Sequence, residues 1–256
     1  MARSPARRPR PASAVTTERV SVVMAPVVTP ERYAAGLTFD DYVEYIGTPE
    51  NLAREASSGP RRDFRAFFRE AFERRRLTDA QQAALRWLVA QPNAPAKMLV
   101  ISEEWSSDCR RDVPTFARIA ADTGMELRIF RRDGQRFSTS HHPSLAEAPD
   151  SNADLMAQFL NHKNGQTWQS IPVCAFFTRE LDYLYHYTEY PAIYHKDPIR
   201  EQMRTPQPGE SADAAQERAE REFQALQTSP FFGVWACAAV DEIISGLHRR
   251  LVLGAG

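Results

Sequence analysis

Met98-Leu99-Val100-Ile101, followed three residues later by Trp105-Ser106-Ser107-Asp108-Cys109, is the stretch that decides how this chain folds. The apolar run has the length of a short strand, Lys97 to Ser102, and its lack of alternation predicts burial on both faces. Beyond Cys109, the residues Val113, Phe116, Ile119 and Ala120 recur at helical spacing, which predicts a helix from Ser106 to Asp122 ended by Gly124. A strand that turns into a helix sets its turn residues at the helix N-terminus, among unpaired N–H groups and partial positive charge. A thiol there ionises more readily than a free one, so Cys109 is a candidate catalytic residue. Ser106 suits the N-cap. Asp108 opposes thiolate formation by like charge unless it is turned toward the helix N–H groups.

Working outward, Glu126 to Arg131 reads as a second strand, and residues 132 to 151 as a polar excursion with Gly134, Pro143 and Pro149. Asn152 starts a helix through Leu155, Met156, Phe159 and Leu160. Ser170 to Phe177 and Leu181 to Tyr187 read as two further strands, joined closely enough to form an antiparallel hairpin. The order strand–helix–strand implies a parallel first pair through a crossover. Upstream lie helical patterns: Thr38 to Ile46, Arg61 to Arg76 with Phe64, Phe67, Phe68 and Phe72 on one face, and a capping box at Thr78 to Gln81. The seven arginines of 61 to 76 are interleaved with Asp63, Glu70 and Glu73, which favours a solvated face over an anion site. Downstream, Ser211 caps a charged helix, and Ser229-Pro230 opens a strongly apolar final one. The chain thus divides into an irregular arm (1–30), an N-terminal helical extension (31–92), a mixed α/β core (93–200) and a C-terminal helical extension packed on it (201–256).

The 256 residues carry a formal net charge of -1, with 43% hydrophobic and 25% charged residues. That balance gives no global argument for nucleic acid or an anionic membrane as partner. No apolar run approaches the roughly 20 residues of a membrane span. The first 14 residues hold four arginines and three prolines, and the apolar patch after them is broken by Pro26, unlike a signal peptide. The three cysteines (Cys109, Cys174 and Cys237) are too few and odd in number for a secreted disulfide framework. A cytoplasmic location is the expectation.

The strand order, with tryptophan and cysteine at the first strand-to-helix turn, resembles the thioredoxin fold. Trp105 and Cys109 match the ends of that family's Trp-Cys-x-x-Cys motif. Pro114 stands where its helix-kinking proline lies, and Ile171-Pro172 matches its cis-proline before the third core strand. Trp-x-x-Asp-Cys with helices on both sides resembles, more narrowly, a bacterial thioredoxin-like subfamily. The resemblance implies a mixed sheet of four or more strands flanked by helices, and a partner-binding groove near Trp105, Ile171 and Pro172. It also exposes a departure. Ser106 stands in the place of the attacking cysteine, and a hydroxyl cannot form a disulfide.

Three readings of Cys109 remain open on the sequence: a single reactive thiol helped by Arg110 or Arg111, a packed and inert relic, or a disulfide partner of Cys174. The corresponding functions are a weak monothiol oxidoreductase acting on protein thiols, with Ser106 and Asp108 beside Cys109, or a non-catalytic module binding an unidentified protein partner. His141-His142 lacks companions at metal-ligand spacing, so no metal is expected. There is no phosphate-binding glycine loop and no Gly-x-Ser-x-Gly, so no cofactor is expected. Cys237 reads as a buried small residue, and Tyr183, Tyr185, Tyr187 and Tyr190 as cover for a sheet face.

Overall fold

A computed structural model describes residues 28–254. The irregular arm expected at 1–30 therefore lies outside the described residues, apart from its last three.

Among the described residues five helices precede the first strand: α1 (Pro30–Ala34), α2 (Phe39–Ile46), α3 (Pro49–Leu52), α4 (Arg65–Arg74) and α5 (Asp79–Val89). Four of them start at threonines, Thr29, Thr38, Thr48 and Thr78, whose side chains accept from a backbone N–H of the first turn. The Thr78–Gln81 capping box forms as expected. α4 begins four residues later than the charge pattern predicts, because Arg61 turns inward to buried carboxylates instead of joining a solvated helix face. Phe68, from the aromatic stripe of α4, is fully buried with Tyr42 and Ile46 of α2, and all three belong to the same core as the sheet.

The core is β1 (Lys97–Ser102), α6 (Ser107–Thr123), β2 (Glu126–Arg131), the single turn α7 (Ala153–Met156), a small hairpin of β3 (Asn161–Lys163) and β4 (Gln166–Trp168), then β5 (Val173–Phe177) and β6 (Tyr183–Thr188). The main sheet has the order β2-β1-β5-β6. β1 runs parallel to β2 and antiparallel to β5, and β5 pairs antiparallel with β6. Met98, Leu99, Val100 and Ile101 are all without exposure, as expected of a central strand covered on both faces. The third and fourth strands start later than predicted. Pro172 has no N–H to give a ladder, and Leu181 sits at φ 70 in the turn between them.

The helix predicted from Asn152 stops after one turn. In its place Asn164 (φ 53) and Gly165 (φ 74) make the two-residue turn of the β3–β4 hairpin. An Asn-Gly pair is a strong short-range hairpin signal, and here it overrides the helical spacing around it.

The C-terminal part is α8 (Lys196–Arg204), α9 (Ala212–Gln227) and α10 (Pro230–Leu253). No apolar spacing in the sequence announces α8, because five of its nine residues are charged and none is buried. α10 is 24 residues long with a mean hydropathy of 1.3 in its most apolar window, so by length and composition it could cross a membrane. That corrects the expectation that no apolar run approaches the length of a membrane span. Its inner face, with Ala236, Ala239, Val240, Ile243 and Leu247, is buried against the core. Gly246 is the point of closest approach between α10 and β6: a Cβ there would lie 2.5 Å from Tyr185 Cε2. Gly246→Ala is expected to destabilise the protein by about 1–3 kcal/mol through overpacking, against the usual helix gain of ~1 kcal/mol for this exchange. Gly233→Ala, where the added Cβ meets nothing within 4 Å, should instead raise the Tm. Thermal melts of the two variants check the pair.

Candidate functional site

The turn from β1 into α6 is built as the sequence predicts. Ser106 is the N-cap, in extended conformation (φ -74, ψ 127), and its hydroxyl accepts from the Cys109 N–H at 3.4 Å. Pro114 lies inside the helix, and Gly124 closes it at φ 75. The Ile171–Pro172 bond is cis.

The chemistry around that frame differs from a reactive site. Cys109 is completely buried. Burial pushes its thiol up to about 12, although hydrogen bonds from Ser102, the Glu103 backbone and Ser106 act the other way. Neither flanking arginine donates to it. Arg110 Nη1 donates to the carbonyls of Glu104 and Trp105, both at 2.8 Å. Arg111 turns to Asp108 and Asp112. Cys174 is also buried, and burial with the nearby Asp112 charge pushes its thiol well up. Both cysteines are free, so the expected alternative of a Cys109–Cys174 disulfide is not formed. Cys237 is partly exposed rather than buried, with its Sγ accepting from Gln81 Nε2 at 3.3 Å.

Asp108 does not turn to the helix N–H groups. Its Oδ1 takes Arg111 Nη1 at 2.7 Å and its Oδ2 takes Lys196 Nζ from α8. Arg111 also makes a fork with Asp112 (2.8 and 2.6 Å), and Tyr187 donates to the same carboxylate at 3.0 Å. Burial raises the Asp112 carboxyl, against the pull of Arg111. Beneath the turn lies a second ionic group. Glu103 pairs with Arg54 and Arg61, both at 2.8 Å, and accepts from the Asp133 N–H at 2.8 Å. Glu104 accepts from Arg61 at 2.8 Å and from Asn51 at 3.1 Å. Burial opposes the charge on Glu103, but Arg54 and Arg61 outweigh it and hold the carboxyl below its ordinary value. Glu104 goes up, from burial and from its neighbour Glu103. These acids were not singled out in the sequence. The available signal was two consecutive carboxylates directly after a buried strand, where charge demands partners.

The expected groove residues do not gather on one open face. Trp105 meets Phe137 edge-to-face at 5.5 Å, with the Arg132 guanidinium 5.3 Å over its ring. Ile171 and Pro172 are buried, so they form no open ledge. The open space lies on the other side of the turn. A cleft of about 920 Å³ is lined by Trp105, Ser106, Ser107 and Asp108, and its walls come from residues 57–67 and from α8 and α9. Cys109, Ile171 and Pro172 take no part in it. His141 packs edge-to-face on Trp168 at 4.9 Å, and no metal-binding cluster is found among the described residues.

A family model described as thioredoxin matches residues 66–144, from α4 through β1, α6 and β2 into the loop beyond. A mixed four-stranded sheet flanked by helices, with helical additions at both ends, agrees with that match, and the fold is thioredoxin-like. Two solved structures are similar to the chain at low identity. One is a protein of unknown function from Pseudomonas aeruginosa, 15% identical, covering 84% of this chain and 94% of its own, at a TM-score of 0.45. The other is an HIV epitope-scaffold, 16% identical, covering 88% and 98% respectively, also at 0.45. No curated protein matches the chain.

Proposed function

We propose that the protein is a binding module on a thioredoxin-like fold, in which the thiol–disulfide cycle no longer runs at the strand-to-helix turn. The observation that carries this reading is the state of Cys109: its sulfur is without exposure and its thiol is pushed up to about 12. The place of an attacking cysteine is held by Ser106, whose hydroxyl is occupied as an N-cap. A ligand would reach Trp105 and Ser106 through the cleft and would not meet the sulfur.

Raising a thiol from 9.0 to about 12 cuts its thiolate fraction at neutral pH by about a thousandfold, before access is considered. Native-state alkylation read by mass spectrometry should therefore label Cys237 first, with Cys109 and Cys174 protected by at least about a hundredfold relative to the unfolded chain. Insulin reduction in the presence of dithiothreitol should be the same for wild type and Cys109→Ala. Rapid native labelling of Cys109, or insulin activity that disappears in Cys109→Ala, would return the protein to the oxidoreductases.

A further inference from the structure

The geometry points to a small ligand bearing phosphate groups and at least two negative charges as the occupant of the cleft, held by Arg62, Arg200 and Arg204. This rests on the binding reading above and names what is bound.

On α8, Lys196, Arg200 and Arg204 stand at i, i+4 and i+8, one cationic edge facing into the cleft. Like charges at that spacing repel, so the pattern costs helix stability and calls for a counter-charge. Lys196 has one, in Asp108 and Glu189. Arg200 and Arg204 have no carboxylate or hydrogen-bond acceptor among the described residues, and neither has Arg62 on the opposite wall. Arg200 is held in place by stacking on Phe223, at 4.3 Å to the ring centroid. Arg110, also lining the cleft, stacks on Phe64 at the same distance and is anchored to Gln227 Oε1 at 2.7 Å. Asp108 and Asp197 are near enough to favour the Arg200 charge, but no acid of the lining pairs directly with Arg62, Arg200 or Arg204. Asp108 is taken up by Arg111 and Lys196, and Glu220 faces Gln216 at 2.9 Å. The N-terminus of α6 opens into the same space and adds partial positive charge.

Guanidinium groups match phosphate oxygens two at a time, in a planar fork. A single carboxylate can satisfy only one such fork. Three unpartnered guanidiniums on two walls of a cleft of about 920 Å³ fit a ligand with several anionic oxygens spread over its length. An oligophosphate or a phosphate ester has that form.

The test is calorimetric titration of the full chain with inorganic triphosphate, with ATP as a phosphate-ester arm and citrate as a carboxylate arm. One-to-one binding of triphosphate or ATP is expected, weakening as salt is raised. Arg62→Ala, Arg200→Ala and Arg204→Ala should each weaken it by about tenfold or more, and Arg86→Ala, an exposed arginine away from the cleft, should not. Circular dichroism of each variant shows that it is folded. Absence of binding, equal affinity in folded Arg200→Ala and Arg204→Ala, or preference for citrate would overturn the inference. These outcomes are separable from the thiol tests. A reactive Cys109 would overturn the binding-module reading with triphosphate affinity intact, and failure to bind with Cys109 protected would overturn only the ligand class.

Discussion

Arg111→Ala is expected to lower the Tm by about 10 °C or more. The side chain is fully buried and holds two carboxylates at once, Asp108 at 2.7 Å and Asp112 at 2.6 Å, while also donating to the Glu189 carbonyl at 3.1 Å. Its removal leaves the Asp112 carboxyl in a site without exposure, with Tyr187 as its remaining hydrogen-bond partner. Breaking a buried pair from one side costs about 3–5 kcal/mol, and each kcal/mol moves the Tm of a chain this size by about 2–4 °C. Asp108 keeps Lys196, which limits the damage to the Asp112 end. The double variant Arg111→Ala, Asp112→Asn should therefore recover part of the loss. A double variant no more stable than Arg111→Ala would show that the cost comes from lost packing and not from an uncompensated charge.

The second large effect is alkaline. The Cys109 thiol is raised in the folded state from 9.0 to about 12, so the folded protein keeps a proton that the unfolded chain releases. The stability this gives is complete below about pH 9 and is lost as pH climbs toward 12. The slope is about 1.4 kcal/mol per pH unit, so the loss by pH 11 is on the order of a few kcal/mol from this thiol alone. Cys174 is shifted in the same direction, and Tyr42 and Tyr187, also pushed well up by burial, add to the loss at higher pH. Urea midpoints measured from pH 8 to 11 should fall steadily, and Cys109→Ala should show a shallower fall even though it is less stable at pH 8. An unchanged slope in that variant would mean that the thiol titrates in the folded protein as it does in the unfolded chain.

Much of the frame was legible because it is written in local chemistry. A continuous apolar run can be satisfied only between two neighbouring strands, and Met98 to Ile101 lie between β2 and β5. Ser106, Thr78 and Ser211 cap helices because a short hydroxyl can reach an N–H two or three residues on, whatever the rest of the chain does. The Asn164-Gly165 turn is equally local, but the helical spacing before it masks its signal. The ionic groups were not legible in this way. Arg54, Arg61, Glu103 and Asp133 come from three separate segments, and no spacing connects them. The same holds for the cleft, whose arginines stand on the loop before α4, on α6 and on α8.

The chain by itself determined that no two-cysteine cycle can run in the motif, since the atom at position 106 is an oxygen, and atomic identity does not depend on folding. Whether the remaining sulfur could still react was decided only by the tertiary structure. An ionisation constant depends on how much water and which charges surround a group, and the residues that exclude water from Cys109, Tyr42 of α2 among them, are distant in sequence.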